Sequence, residues 1–345
     1  MLKPKRILII ADFKNSETHA IRIQSRMWVK GFQRLGHDVL TFSYRDILRQ
    51  CCNLPGKKIA QLLAKPKVDR LLVEITKKYY PDIVIFFGFI KGFDIDIAKT
   101  MRQVAPEAVF ISRAEDPSPE KYPHHTEIAK QTDILTTTSE GRFMQTYLDG
   151  GVKKCLFIPN MCDPDIHYNY DIDDKYKADL IFTGKPEHKS TGGNDQRYEI
   201  VEKLCKMQNA KVYGAWGVPN VEGIDYFRAI SSAKIGLSIN AFNDVKLYHS
   251  DRLINYLACG TFVLAKRVPD SELLFKDGIH LKYFDETEEF FELAKWYLEH
   301  DNERKKIADA GMNWAHEQFN CVKIAGYILD VIENGAYNAP WNSTV

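Results

Sequence analysis

The 345-residue sequence has no apolar run near the roughly 20 residues that a membrane-spanning helix needs, so no integral membrane segment is expected. It has almost no net charge. Its 47 Lys and Arg against 46 Asp and Glu leave +1, which provides no global field for nucleic acid or an anionic surface. It has seven cysteines, an odd number, and no C-x-x-C pair. Neither a disulfide framework nor a zinc site follows from that pattern, and a reducing, cytoplasmic setting fits best. It has no G-x-G-x-x-G after its first apolar stretch, which counts against a nicotinamide or flavin cofactor there. The basic start MLKPKR precedes only a short apolar run, ended by Asp12 and Lys14, and reads as a first strand rather than a leader.

What is present is a rhythm of buried strands and helices. The stretches Arg6–Ala11, His37–Phe42, Pro81–Phe87, Ala108–Ile111, Asp133–Thr137 and Cys155–Pro159 read as short strands, largely apolar as parallel strands are when covered on both faces. Helical stretches separate them, near 17–35, 57–79, 94–103 and 124–131. Gly36 stands where the first helix should stop. The rhythm breaks at 162–178, CDPDIHYNYDIDDKYKA, which has no apolar period and reads as a linker. A second series follows: a strand at 178–184, a helix at 195–207, strands at 210–214 and 233–239, and a helix at 224–231. Two long helices at about 286–300 and 301–319 close it, with Asp285 and Glu288 at capping-box spacing. The expected class is α/β: two doubly wound domains, 1–165 and 170–325, facing a central cleft. An aromatic tail from about 326 to 345 is free to pack back on the first domain. Ligands of such sheets sit beyond the carboxyl ends of the strands, so the loops there are the candidates.

In LYHSDRLINYLACGTFVLAKR, residues 247–267, a short apolar helix opens on His249, Ser250, Asp251 and Arg252. Ser250 suits an N-cap. The free amides of a first turn carry partial positive charge, and Arg252 adds a fork suited to phosphate oxygens. Phe182-Thr183-Gly184-Lys185 ends a strand and leads into the polar loop HKSTGGNDQ before Arg197, a second place for an anion. Tyr213-Gly214-Ala215-Trp216-Gly217 offers an aromatic wall for a nucleobase or, equally, a Trp packed under its loop. In the first half, Ser112-Arg113-Ala114-Glu115-Asp116 places a cation and two carboxylates after a strand. These either accept a proton from an incoming hydroxyl or cap and pair locally. After the first strand, Ser16 or Thr18 reads best as a helix cap. The D-x-D pairs Asp94/Asp96 and Asp163/Asp165 read as caps and linker rather than metal ligands, and His124-His125 lacks a third ligand. No metal is expected.

In order, Phe182-Thr183-Gly184, Arg197, Tyr213-Gly214-Ala215-Trp216, Ser238-Ile239-Asn240, Arg252 with Ala258-Cys259-Gly260, Leu274–Gly278 and WYLEHDNERKKIADAG resemble the C-terminal domain of group 1-type glycosyltransferases, in particular the CgeB-like (spore maturation protein) branch. The resemblance covers about 178–320. It is weaker at Glu115-Asp116-Pro117 and Leu156–Asn160. It implies a GT-B fold, a nucleotide-sugar donor (UDP-, TDP- or GDP-linked) in the second domain, and a glycan or lipid-linked glycan acceptor in the first. It implies no cofactor, no nucleic acid partner and at most peripheral membrane contact, in an enzyme of bacterial surface polysaccharide synthesis. Gly184 and Lys185 would lie near the diphosphate, Tyr213, Gly214 and Trp216 near the base, and Ser250 and Arg252 on the phosphates, with Arg197 and Asn240 in the same set. If the reaction inverts configuration, Asp116, Glu115 or His19 is the base. The family's ribose-holding Glu is replaced by Asn255, and its paired upstream Glu by Leu247. That departure keeps two alternatives open: a binding or assembly protein that has lost catalysis, and a sugar-nucleotide epimerase.

Overall fold

The computed structural model describes residues 3–13, 24–52, 57–88, 93–116, 119–185 and 195–342. The chain divides into two compact units. The first comprises Met1–Pro159 with Val322–Tyr337, and the second Asn160–Cys321 with Asn338–Val345.

The first unit is built on β1 (Arg6–Ala11), β2 (Asp38–Ser43), β3 (Ile83–Phe87), β4 (Val109–Ala114), β5 (Ile134–Thr137) and β6 (Cys155–Phe157). They form one sheet in the order β2-β1-β3-β4-β5-β6, with every pairing parallel. The apolar runs explain the centre: all five residues of β3 and the last five of β1 are buried, as strands covered on both faces must be. Helices α1 (Gln24–Arg34), α2 (Tyr44–Cys51), α3 (Lys57–Tyr79), α4 (Ile97–Val104), α5 (Pro123–Ala129) and α6 (Arg142–Asp149) connect the strands. Gly36 follows α1 at φ +87°, the left-handed turn expected of it. On one face, Leu8, Phe42, Val84, Phe86 and Phe110 pack with Leu48, Val68, Leu72 and Met101 from the helices.

The second unit carries β7 (Ala178–Thr183), β8 (Ala210–Tyr213), β9 (Ala233–Ser238), β10 (Phe262–Lys266) and β11 (Lys282–Phe284), in the parallel order β11-β10-β9-β7-β8. Its helices are α7 (Asp195–Cys205), α8 (Ile224–Ser231), α9 (Asp251–Ala258), α10 (Thr287–Glu299) and α11 (Asp301–Gln318); α12 (Cys321–Asn334) follows and lies almost wholly in the first unit. Strand β11 has only three residues, too few for a visible sequence period. The capping box of α10 lies one residue later than the spacing of Asp285 and Glu288 suggests. Glu286 is the N-cap, and its side chain and that of Glu289 bond each other's backbone reciprocally.

Both sheets bring the segments after their strands to one edge. In the second unit this gathers Thr183-Gly184-Lys185, Tyr213-Gly214 and Ile239-Asn240 beside the start of α9.

Candidate functional site

Helix α9 is fixed on the sheet by Tyr256. Its ring lies against Gly236 of β9 so closely that a Cβ there would come within 2.4 Å of it. The Tyr256 hydroxyl accepts the Thr183 amide at 2.9 Å and pairs with Thr183 Oγ1 at 3.0 Å. One turn earlier on the helix, Arg252 reaches the same strand ends. Its guanidinium donates to Thr183 O at 2.9 Å and to Ile239 O at 2.5 Å, tying β7 to the segment after β9. Its Cζ stands 4.6 Å from the centre of the Phe182 ring. Arg252 is 6% exposed. Its Nε has no hydrogen-bond partner, and among the described residues no carboxylate neutralises it. A buried cation satisfied only by carbonyl dipoles and a ring is costly, and an anion would relieve that cost.

A second guanidinium joins it. Arg197, from the first turn of α7, is buried and donates to Lys185 O, with its Cζ 5.5 Å from the same Phe182 ring. Gly184 lies between the two. At φ +144°, a Cβ on it would sit 2.9 Å from Arg252 Nη1 and 3.5 Å from Arg197 Nη2. The glycine therefore permits two cations to converge on one backbone turn, an anion-attracting arrangement. Gly214, at φ +86°, brings the neighbouring loop in close: its Cβ would fall 3.2 Å from Gly184 O. The Gly184 amide donates to Tyr213 O at 2.9 Å. Tyr213 is half-buried. Trp216 is 43% exposed at φ +46°, and its ring meets that of Tyr198 edge-on at 5.5 Å. Lys185 is exposed, and the polar loop after it, 186–194, lies outside the described residues.

Ser250 occupies the N-cap of α9, but its hydroxyl does not cap the helix; Oγ is buried without a partner. The cap expected of its side chain is corrected on that point. The backbone here is held by others. Asn240 accepts the Ser250 amide on Oδ1 at 3.1 Å and donates from Nδ2 to Tyr248 O at 3.2 Å. Asn240 therefore spends its amide on protein and shapes the start of α9. Asn255 is likewise engaged. Its Nδ2 donates to the Tyr226 hydroxyl at 3.4 Å, and its side chain hydrogen-bonds His167. His167 Nδ1 lies 3.0 Å from the Asp163 amide nitrogen and 3.1 Å from the Asp163 carbonyl oxygen. Burial lowers the His167 pKa to about 4, so the ring is neutral.

The first-unit candidates follow β4. Glu115 closely approaches the turn after β3: its Oε2 lies 2.9 Å from where a Cβ on Gly88 would stand. Asp116 is exposed and accepts the Tyr122 hydroxyl at 3.4 Å. His19 lies outside the described residues. Arg113 does not point outward with them, as its place in the sequence suggests. It is 2% exposed and donates to Ile158 O at 2.7 Å and Pro159 O at 3.2 Å. Burial lowers its pKa to about 10. Asp94 and Asp96 are used locally, since Asp94 accepts the Asp96 amide and Asp96 pairs with Lys99 at 2.7 Å. Among the described residues no cluster of three His, Cys, Asp or Glu is placed to hold a metal ion. Sequence reasoning passed over Tyr256 and Gly236, whose only signal was a glycine inside an apolar strand.

Comparison with curated proteins finds no relative. Solved structures do share the fold. HepE (Alr3699) of Anabaena, in complex with UDP and glucose, superposes with a TM-score of 0.62 at 12% identity, over 96% of this chain and 100% of that one. The UDP-forming α,α-trehalose-phosphate synthase of Burkholderia xenovorans gives 0.61 at 9% identity, over 96% and 99%. Sucrose-phosphate synthase of Thermosynechococcus elongatus gives 0.60 at 12%, over 96% and 98%. The two parallel sheets with flanking helices are therefore those of the GT-B fold. Residues 196–330, which carry Arg197, Trp216, Asn240 and Arg252, match the glycosyl transferase-like family.

Proposed function

We propose that this protein is a glycosyltransferase that moves a sugar from a nucleoside-diphosphate donor to a glycan or lipid-linked glycan acceptor. The observation that carries the reading is the Arg252–Arg197 pair converging on Gly184 at the carboxyl ends of β7 and β9. The match of 196–330 to the glycosyl transferase-like family and the UDP complex of HepE support it. As the bond from sugar to diphosphate breaks, negative charge grows on the leaving oxygen. Fixed cations stabilise that charge without having to reorganise. Arg252, with Lys185 beside the same turn, holds the phosphates; Trp216 and Tyr213 face the base. In the first unit Glu115 or Asp116 serves as the base if the reaction inverts configuration, and retention needs neither. We place the reaction in the cytoplasm, in bacterial surface polysaccharide synthesis, without a metal or other cofactor.

A thermal-shift panel of UDP, GDP, TDP and CMP tests the donor site. One diphosphate should stabilise the protein and CMP should not. Absence of a shift with all four would sink the assignment. One feature favours a second reading, a nucleotide-sugar-binding protein without turnover. Asn255 is committed to Tyr226 and His167, and Leu247 is buried where related enzymes carry acids. Hydrolysis or transfer of the bound donor separates the two.

A further inference from the structure

Ile158, Pro159 and Asn160 carry the chain out of the first unit and into the second. Buried donors grip both ends of this step. On the first side, the Arg113 guanidinium holds the carbonyls of Ile158 and Pro159. On the second, Asn160 is 6% exposed, and its Nδ2 donates to His249 O at 2.9 Å, across 89 residues of sequence. His249 immediately precedes the N-cap of α9. The three residues leading into that helix are thus pinned by two asparagine side chains: Tyr248 O and Ser250 N by Asn240, His249 O by Asn160. The Ser250 hydroxyl adds no cap of its own. The direction in which α9 starts, and so the place of Arg252 in its first turn, depends on these two amides.

We propose that Asn160 is a positioning residue of the donor site: by holding the His249 carbonyl it aims the start of α9 and Arg252 at the donor's phosphates. The inference rests on the donor-site reading above. Asn160 itself touches no phosphate; it acts through the backbone of His249 and Ser250. Its loss therefore weakens recognition of the phosphates and leaves recognition of the nucleoside unchanged.

The test uses the full-length protein and calorimetric titration with UDP, GDP and TDP, each beside its own nucleoside as competitor. Asn160→Asp keeps the volume and replaces the donor by an acceptor facing a carbonyl. The expected result is about tenfold weaker binding of the diphosphate, with the nucleoside changed less than about twofold. Equal weakening of diphosphate and nucleoside would mark Asn160 as merely structural and overturn the proposal, as would unchanged binding of both. Should Asn160→Asp not fold, Asn160→Ala leaves His249 O without its donor and adds no charge, and the same ratio is read. A wild-type protein that binds no diphosphate would remove the donor-site reading itself, an outcome distinct from failure of the Asn160 variants.

Discussion

Replacing Arg252 separates its charge from its geometry. Arg252→Gln removes the charge and keeps one amide that can reach a carbonyl. Arg252→Lys keeps the charge but cannot span Thr183 O and Ile239 O together. In the unliganded protein, each carbonyl left without its donor costs about 1–3 kcal/mol, while removing an uncompensated buried charge returns a similar amount. Arg252→Gln should therefore change intrinsic stability little. Binding is different. A hydrogen bond to a charged group contributes about 1.5–3 kcal/mol, so loss of one raises Kd about 10- to 100-fold. A diphosphate at 100 times its wild-type Kd stabilises the protein by about 2.7 kcal/mol, which for a unit of this size is a shift of about 5–10 °C. At the same concentration, a variant weakened 30-fold keeps only about 0.9 kcal/mol, about 2–3 °C. Arg252→Lys should fall between the two. Thermal shift over a ligand titration measures all three proteins. If Arg252→Gln keeps the full wild-type shift, the buried guanidinium is a strand clamp only, and the reasoning from uncompensated charge to anion fails.

Gly236→Ala places a methyl within 2.4 Å of the Tyr256 ring and should cost about 1–3 kcal/mol in urea unfolding; an unchanged midpoint would contradict the packing of α9. Trp216→Ala should weaken nucleoside and nucleoside diphosphate alike, by about 2- to 10-fold, the worth of an aromatic contact; calorimetry with both reads it, and an effect confined to the diphosphate would refute the base-wall assignment. Burial lowers His125 and His167 to about 4, below the ordinary histidine value, so the unfolded chain binds their protons first as pH falls. Their contribution is complete above about pH 6.5 and declines toward pH 4, by about 2 kcal/mol each at pH 5. Asp69, raised to about 6 by burial, offsets about 1 kcal/mol of that loss. Urea midpoints at pH 7 and 5 should therefore differ, with pH 5 the lower; equality would show these sites are hydrated. Asn255→Glu puts a carboxylate on His167 and should raise the imidazole pKa by about 1 unit or more in an NMR titration.

Local pattern alone located most of the frame. Five apolar residues in a row at Ile83–Phe87, and the run ending at Ala11, can be satisfied only by burial on both faces, which forces parallel strands and crossover helices. The polar opening of the helix at 250–252 was legible because it departs from a period its neighbours keep. The capping box slipped by one residue because four acids within five residues, Asp285, Glu286, Glu288 and Glu289, offer more than one register. Arg113 misled because a charged residue in a strand gives no sign of which carbonyls will satisfy it.

The amino-acid order by itself determined which segments are strands and helices, and that Arg252 would stand in the first turn of a helix between two of them. Only the tertiary structure decided what Arg252 touches. Thr183 and Ile239 lie 69 and 13 residues away. Likewise only folding showed that Gly184 separates two guanidiniums, that Asn240 and Asn160 hold the entry to α9, and that Asn255 faces a neutral histidine. Hydrophobic periodicity is a property of neighbours in the chain, whereas the partner of a buried polar group is chosen by whatever the fold brings within 3 Å of it.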